Sequence, residues 1–494
     1  MPICRREFLK VSASATMLLL SPKMQAQAPK LRKDVNALSL SELGTFRAGV
    51  AAMESLTRNN FLSWDYQRAV HNIARATVAL PDPPNTAMFW RQCQHHTDHF
   101  FSWHRWELLY WEEICRQLCG TPTFTLPYWD YFSDGHLPTA FRAPTAGGTN
   151  VLFHGRSALI NDGSAELNTI AAGSGWPAIS PQGVGETDFF MFQSLFEANP
   201  HDLVHGYVGG DMGSVLTSAL DPVFYAHHAN IDRYWAKWLQ QGGGRTNPTG
   251  SWAGTTFNFQ TVSGPKAPTA GAAQTPEALG YTYDSQVRVD VKKVPDLLKY
   301  LNGLKDRYKY PRTLPIPPRP PGPGPWVTVA ATNALELDGN PTVVRVPNKN
   351  VTTKGFVPAL KAPDTDIVLT LYDVRSTRIA QQGGYVYQVF LTSSEKDLAQ
   401  GLAKTAVEVA SFSSFSVSVA EQHQEHAQPS VPQIRLPISA EARKLLVISG
   451  DSDPALVFVR RGLITKGREI EDNVEQVFFT IGEIRIEAKQ RTSR

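Results

Sequence analysis

Cysteine is scarce in this chain: four residues in 494, at Cys4, Cys93, Cys115 and Cys119. Cys115 and Cys119 stand four apart on one expected helix, where a bridge would restrain little. Cys4 falls in an expected leader. A disulfide scaffold is therefore excluded, and Cys115 and Cys119 read as reduced core residues. Net charge is also small, formally +3, with Lys and Arg scattered and no basic run interleaved with aromatics. That argues against a nucleic-acid partner. After the first 28 residues no apolar run is long enough to span a bilayer, so no membrane partner is expected. Histidine is nearly missing from the second half: of 13, only His423 and His426 lie beyond residue 230. Whatever chemistry imidazole performs here belongs to the first half.

The chain opens MPICRREFLKVSASATMLLLSPKMQAQA. Arg5 and Arg6 precede Phe8 and Leu9, then comes a short apolar region, then Ala-Gln-Ala. Residues 1–28 are predicted to be a twin-arginine export signal, cleaved near Ala26 or Ala28. Export of the folded protein to the periplasm or beyond follows, which suits a chain loaded with metal beforehand.

The densest chemistry lies in HHTDHFFSWHRWELLYWE, residues 95–112. Four histidines, His95, His96, His99 and His104, crowd into ten positions beside Phe100, Phe101, Trp103 and Trp106. Imidazole is the commonest ligand for a borderline metal, and apolar walls exclude water from it. The segment from His104 to Leu118 predicts a helix, with His95 on the loop before it. His201 and His205, spaced i and i+4 in NPHDLVHGYVGG, would share one helix face. His227 and His228 open another expected helix in DPVFYAHHANIDRYWAKW. His71 sits within a helix expected over Trp64–Ala79, and Ser39 with Glu42 marks the capped start of an earlier one. His136 and His154 fall in a loop-rich stretch, 133–185, without partner spacing.

Past residue 311 the character changes. RTLPIPPRPPGPGP, residues 312–325, is a Pro/Gly linker that can be neither helix nor central strand. Beyond it, Ile367–Tyr372, Tyr385–Leu391, Phe415–Val419, Leu445–Ile448, Leu456–Val459 and Val477–Ile486 are short β-rich runs between turn residues. The organisation predicted is a signal (1–28), a mainly α domain (29–311), the linker (312–325) and an all-β sandwich or barrel (326–494).

The two histidine-rich stretches resemble the copper A and copper B motifs of tyrosinases and polyphenol oxidases, the type-3 dinuclear copper family. The match covers roughly residues 30–310, and the tail resembles the C-terminal shielding domain of plant-type members. Tyr308-Lys309-Tyr310 resembles the Tyr-x-Tyr mark that closes their catalytic domain. The resemblance implies a four-helix bundle with long loops around two copper ions. His71, His95 and His104 would hold copper A, and His201, His205 and His228 copper B. His228 is preferred to His227 because the family ligand lies four residues before the Asp, here Asp232. His96, His99 and His227 are left to line the site or its shell. Arg105 and Asp232 are candidates to orient the ligand rings or to form an interhelix ion pair, and Glu112 is expected to be structural. A thioether between Cys93 and His95 is implied, as in the fungal and molluscan branches.

The implied activity is a copper oxidase that uses dioxygen to hydroxylate monophenols such as tyrosine and to oxidise o-diphenols to o-quinones, as in melanin or phenol metabolism. A catechol oxidase limited to o-diphenols, or a hemocyanin-like oxygen carrier, would share the motifs. Glu197, four residues before His201, matches a water-holding Glu of plant-type relatives. Asp202 stands where strong hydroxylases often carry Asn. Val215 matches a gate position where some relatives carry Phe. The partners implied are a small phenol and, as a candidate, a copper chaperone. The tail is expected to insert one side chain over the copper mouth.

Overall fold

The computed structural model describes residues 29–73, 86–143, 149–156, 158–167, 179–284 and 297–309. Between 327 and 490 it describes all but 333, 346–364, 378–379, 381–384, 402, 423–430, 439, 449–453, 462–463, 466–467 and 470–475. The expected signal and linker lie outside the described residues. Among those described, no helix is long and apolar enough to cross a membrane.

The first half is helical. Helix α1 (Leu40–Glu54) starts at a complete capping box: Ser39 Oγ accepts from the Glu42 N–H, and the Glu42 carboxylate accepts from the Ser39 N–H. Helix α2 (Trp64–His71) is shorter than its periodicity predicts, because Asn72 turns extended and ends it at His71. Helices α3 (Phe100–Leu118) and α6 (Val223–Gln240) are buried on nearly every side, which marks them as core helices rather than amphipathic surface ones. Between them come α4 (Phe189–Phe196) and α5 (Asp202–Val208), joined through Glu197–His201.

Two buried ionic clusters fix α3. Arg105 Nε donates to Asp232 Oδ1 of α6 at 2.5 Å, and its guanidinium lies 3.6 Å from the centre of the Trp235 ring. Tyr281 and Tyr283 donate to the other Asp232 oxygen at 2.7 and 2.5 Å. Glu112 accepts from Arg32 Nε and from the Leu126 N–H, both at 2.8 Å. Arg32 ends strand β1 (Lys30–Arg32), which pairs in parallel with β2 (Tyr281–Tyr283) and brings both ends of the helical unit together. The tyrosines at that closure are thus Tyr281 and Tyr283, with Arg32 stacked 3.7 Å from the Tyr281 ring centre. Tyr308 is elsewhere: its hydroxyl donates to the Leu301 carbonyl. Helix α7 (Leu297–Gly303) packs Leu301 against Val343, Phe390 and Val457 of the second half, so this end of the 29–311 span lies against the sheets.

The second half holds two four-stranded antiparallel sheets with a common core. One has the order Ala406–Ser413, Val386–Thr392, Ala455–Arg461, Thr342–Arg345; the other Gln433–Pro437, Thr365–Tyr372, Glu483–Gln490, Val327–Thr332. The sheets satisfy the expectation of a β tail, but a short helix spans Glu395–Ala399 and two of the runs expected as strands are helical. Phe415–Val419 lies in helix α8 (Ser414–Gln422). Its Ser/apolar alternation imitates a strand, but Ser413 Oγ accepts from the Ser416 N–H at 3.3 Å while Ser416 Oγ accepts from the Ser413 N–H at 3.1 Å. That reciprocal cap starts a helix. Leu445–Ile448 ends helix α9 (Ala440–Ile448), whose opening Ala-Glu-Ala-Arg-Lys favours helix before the apolar run begins.

Candidate metal centre

Because α2 stops at His71, the returning chain can run beside it. The N–H groups of Arg91, Gln92 and Cys93 donate to the carbonyls of Ala69, Val70 and His71 at 2.9, 3.0 and 3.3 Å. This ladder brings the ligand atoms of His71, Cys93 and His95 within 4.8 Å of one another. His104, in the second turn of α3, closes the group: its ring centre lies 5.8 Å from that of His71 and 4.8 Å from that of His95. On the other side, His201, immediately before α5, and His205, within it, have ring centres 4.6 Å apart, and those of His201 and His228 lie 4.9 Å apart. The two groups face each other. His104 stacks on His228 at 4.4 Å, and His95 on His201 at 5.3 Å. The six histidines singled out from sequence are all buried and all brought together.

The rings are oriented by their outer nitrogens. His104 Nδ1–H donates to the Phe100 carbonyl at 2.7 Å, and His205 Nδ1–H to the Met212 carbonyl at 2.9 Å. His201 Nδ1–H donates to Asp202 Oδ1 at 2.9 Å. A neutral imidazole committed in this way carries its lone pair on Nε2. The Nε2 atoms of His104 and His205 are buried without a hydrogen-bond partner. Burial lowers the basicity of His104, His201, His205 and His228, so the rings stay neutral. Buried acceptors left unmet cost about 1–3 kcal/mol each. A cation that prefers imidazole removes that cost, so these residues fit a metal pair.

A carboxylate cluster borders the site. His96 has a left-handed backbone (φ 52°) and donates its N–H to Glu197 Oε1 at 2.7 Å. Its ring Nε2 lies 3.4 Å from Asp202 Oδ2. Burial pushes the Glu197 carboxyl above the usual range; although burial also opposes ionisation of Asp202, His96 and His201 hold that carboxyl below it. Glu197 and Asp202 thus both reach the centre's edge. Val215 is fully buried, and its N–H donates to Ser418 Oγ of the tail at 3.4 Å.

The tail supplies the remaining wall. Phe415, at the start of α8, stacks on His205 with ring centres 4.0 Å apart and planes 10° apart. It meets His95 and His201 edge-on at 5.6 and 5.7 Å. Ser416 Oγ donates to Asp202 Oδ2 at 2.5 Å. Sequence reasoning expected one inserted side chain without identifying it; the Ser-Ser-Phe-Ser run carried no signal beyond its alternation.

Other candidates lie apart. Arg105 and Asp232 pair with each other between helices, and Glu112 is structural. His99 stacks on Trp252 at 5.5 Å, and His154 pairs with Asp211. His136, half-buried, groups with exposed Asp134 and half-buried Glu166. Cys115 and Cys119 are free thiols. His227, given no ligand role, stands inside the second imidazole group.

Residues 62–174 and 168–241 match the common central domain of tyrosinase. The tyrosinase HcTyr1 of Hahella sp. (strain CCB-MM4) is 32% identical over 302 residues, 51% of this chain and 63% of that protein. Polyphenol oxidase II of Ipomoea batatas, a chloroplastic protein, is 26% identical over 342 residues, 59% of this chain and 55% of its own length. The chain thus spans less than two thirds of these relatives. The structure of a latent apple tyrosinase has the same fold throughout, with a TM-score of 0.57 at 18% identity, covering 98% of this chain and 99% of that one. The family's cofactor is a pair of copper ions, which the facing imidazoles fit. Residues 62–241 of this chain thus carry the common central domain of tyrosinase, and the imidazole groups within it are arranged to hold a metal pair.

Proposed function

We propose that this protein oxidises small phenols with dioxygen, hydroxylating monophenols and converting o-diphenols to o-quinones. The observation that carries the reading is the pair of facing imidazole groups, His71, His95 and His104 against His201, His205 and His228, with ring nitrogens turned inward. Each group would hold one copper, and the pair would supply the redox chemistry between dioxygen and the phenol.

The chain's own residues do the rest. Nδ1 bonds to the Phe100 and Met212 carbonyls and to Asp202 fix three ligand rings. Aromatic walls exclude water. A monophenol has a pKa near 10, like Tyr, and must lose its proton to bind metal as phenolate. Glu197, held by the His96 N–H at 2.7 Å, is placed to accept that proton through a water. Asp202 is engaged by His201, His96 and Ser416, so with the tail docked it is less free to do so. Val215, small beside a Phe, leaves room for a ring at the entrance. Phe415 occupies the space in front of His205, so the docked tail makes the enzyme latent. Export by the twin-arginine route and loading by a copper chaperone complete the reading.

The test is initial rates on tyrosine and L-DOPA for the wild type, Glu197→Gln and Asp202→Asn. Glu197→Gln should cut tyrosine hydroxylation about 10²-fold or more, in line with loss of a general base, and L-DOPA oxidation much less. Unchanged tyrosine hydroxylation rejects the base role. A wild type that oxidises L-DOPA but never tyrosine is a catechol oxidase.

A further inference from the structure

His227 and His228 are consecutive on α6, and neighbours on a helix diverge by about 100°. Only one of them would ordinarily address a given point. Here the ligand atoms of His201, His205, His227 and His228 all lie within 4.8 Å of one another. The ring centre of His227 lies 5.3 Å from that of His201, 4.9 Å from that of His205 and 5.2 Å from that of His228. His227 is fully buried, and neither ring nitrogen has a hydrogen-bond partner. An ordinary core histidine satisfies at least one nitrogen; this one forgoes both, at about 1–3 kcal/mol each.

His228 belongs to two groups. Besides the second imidazole group it stands with His95 and His104, its ring stacked on His104 and its Nε2 3.3 Å from that of His201. The second group therefore keeps three imidazoles, His201, His205 and His227, even when His228 serves the first.

We propose that His227 is a fourth copper-ligating imidazole at the second site, able to hold the ion with His201 and His205 when His228 is not committed to it. The inference rests on the copper reading of this centre. Its physical content is a spare lone pair in the right place: a buried neutral ring, otherwise unpaired, beside two rings already oriented by Asp202 and the Met212 carbonyl.

The experiment uses the full chain, prepared without copper and titrated with copper ions alone. Copper per chain is measured by metal analysis, and nitrogen ligation by electron paramagnetic resonance of the Cu(II) form, so activity is not the readout. His228→Phe should still bind a second copper, weakened roughly 10- to 100-fold. His227→Phe with His228→Phe should bind one. His227→Gln combined with His228→Phe, which keeps a polar side chain at 227, guards against misfolding in the double Phe variant and should likewise bind one copper. Copper retained by His71, His95 and His104 reports that each variant is folded. If His228→Phe loses the second copper as completely as the double variants, the proposal is overturned. A wild type that never takes two coppers overturns the copper reading itself, a distinct result.

Discussion

Replacing Phe415 by Ala should release activity in the full-length chain. Its ring is fully buried, lies flat on His205 at 4.0 Å and meets His95 and His201 edge-on. It fills the space a phenol ring would need. Burying a Phe side chain is worth about 1.5–3 kcal/mol, and an aromatic stack adds about 0.5–1.5 kcal/mol. Taking about 3 kcal/mol as the hold lost, the fraction of molecules with an open mouth rises by about 150-fold at 1.4 kcal/mol per decade. The ceiling is the rate of copper-loaded protein cleaved within 312–325 and freed of its tail. The assay is the initial rate of L-DOPA oxidation for wild type, Phe415→Ala and the cleaved protein. The variant should gain at least tenfold and approach the cleaved form. If the cleaved protein is fast and Phe415→Ala stays as slow as wild type, Phe415 is not the obstruction. If cleavage changes nothing, the docked tail is not inhibitory.

Asp232→Asn removes the charge that Arg105, Tyr281 and Tyr283 share across α3, α6 and β2. Breaking a buried pair costs about 3–5 kcal/mol, so the melting temperature should fall by roughly 6–20 °C; a drop under 2 °C would show the cluster to be dispensable. Copper-loaded, active protein lacking its leader should yield two alkylatable thiols after denaturation, Cys115 and Cys119, and a Cys93–His95 cross-linked peptide two hydrogens lighter than its parts. A freely alkylated Cys93 in that material would reject the thioether.

What could be read beforehand was local. The i, i+4 spacing of His201 and His205, the capping box at Ser39 and the aromatic wall around His104 each depend on residues within one or two turns, and the structure keeps them all. What could not be read depends on contacts across the chain. Phe415 reaches His205 from 210 positions away, and nothing in Ser-Ser-Phe-Ser-Val states where it will lie. The choice between His227 and His228 turns on which neighbours their rings meet, and the motif supplies only the order. The end of α2 at His71 was hidden because Ile73 continues the apolar period while Asn72 leaves the helix. Helix α8 was mistaken for a strand because alternation is shared by strands and by a capped helix rich in buried serine.

The tail does two things that can be separated by position. Val386, Phe415 and Val419 come from the sheet half, yet they pack within the apolar core of the helical half. Docking therefore completes that core as well as covering the metal centre. Val386 makes the distinction testable. It starts its strand and faces Gly206 of α5, where a Cβ would come within 3.7 Å of its side chain. Unlike Phe415, it is not stacked on the imidazoles. Val386→Ala removes two methyl groups from a fully buried side chain, a loss of about 1–3 kcal/mol with its cavity. Docking should weaken, lowering the denaturant or detergent needed to activate the enzyme, while the ring of Phe415 still occupies the mouth of each docked molecule. Val386→Ala should thus shift the activation midpoint and leave the rate of the fully cleaved protein unchanged, whereas Phe415→Ala should raise the rate even in molecules whose tail remains docked. If the two variants behave alike in both measurements, the ring has no blocking role beyond its share of the docking energy, and latency is a matter of covering alone.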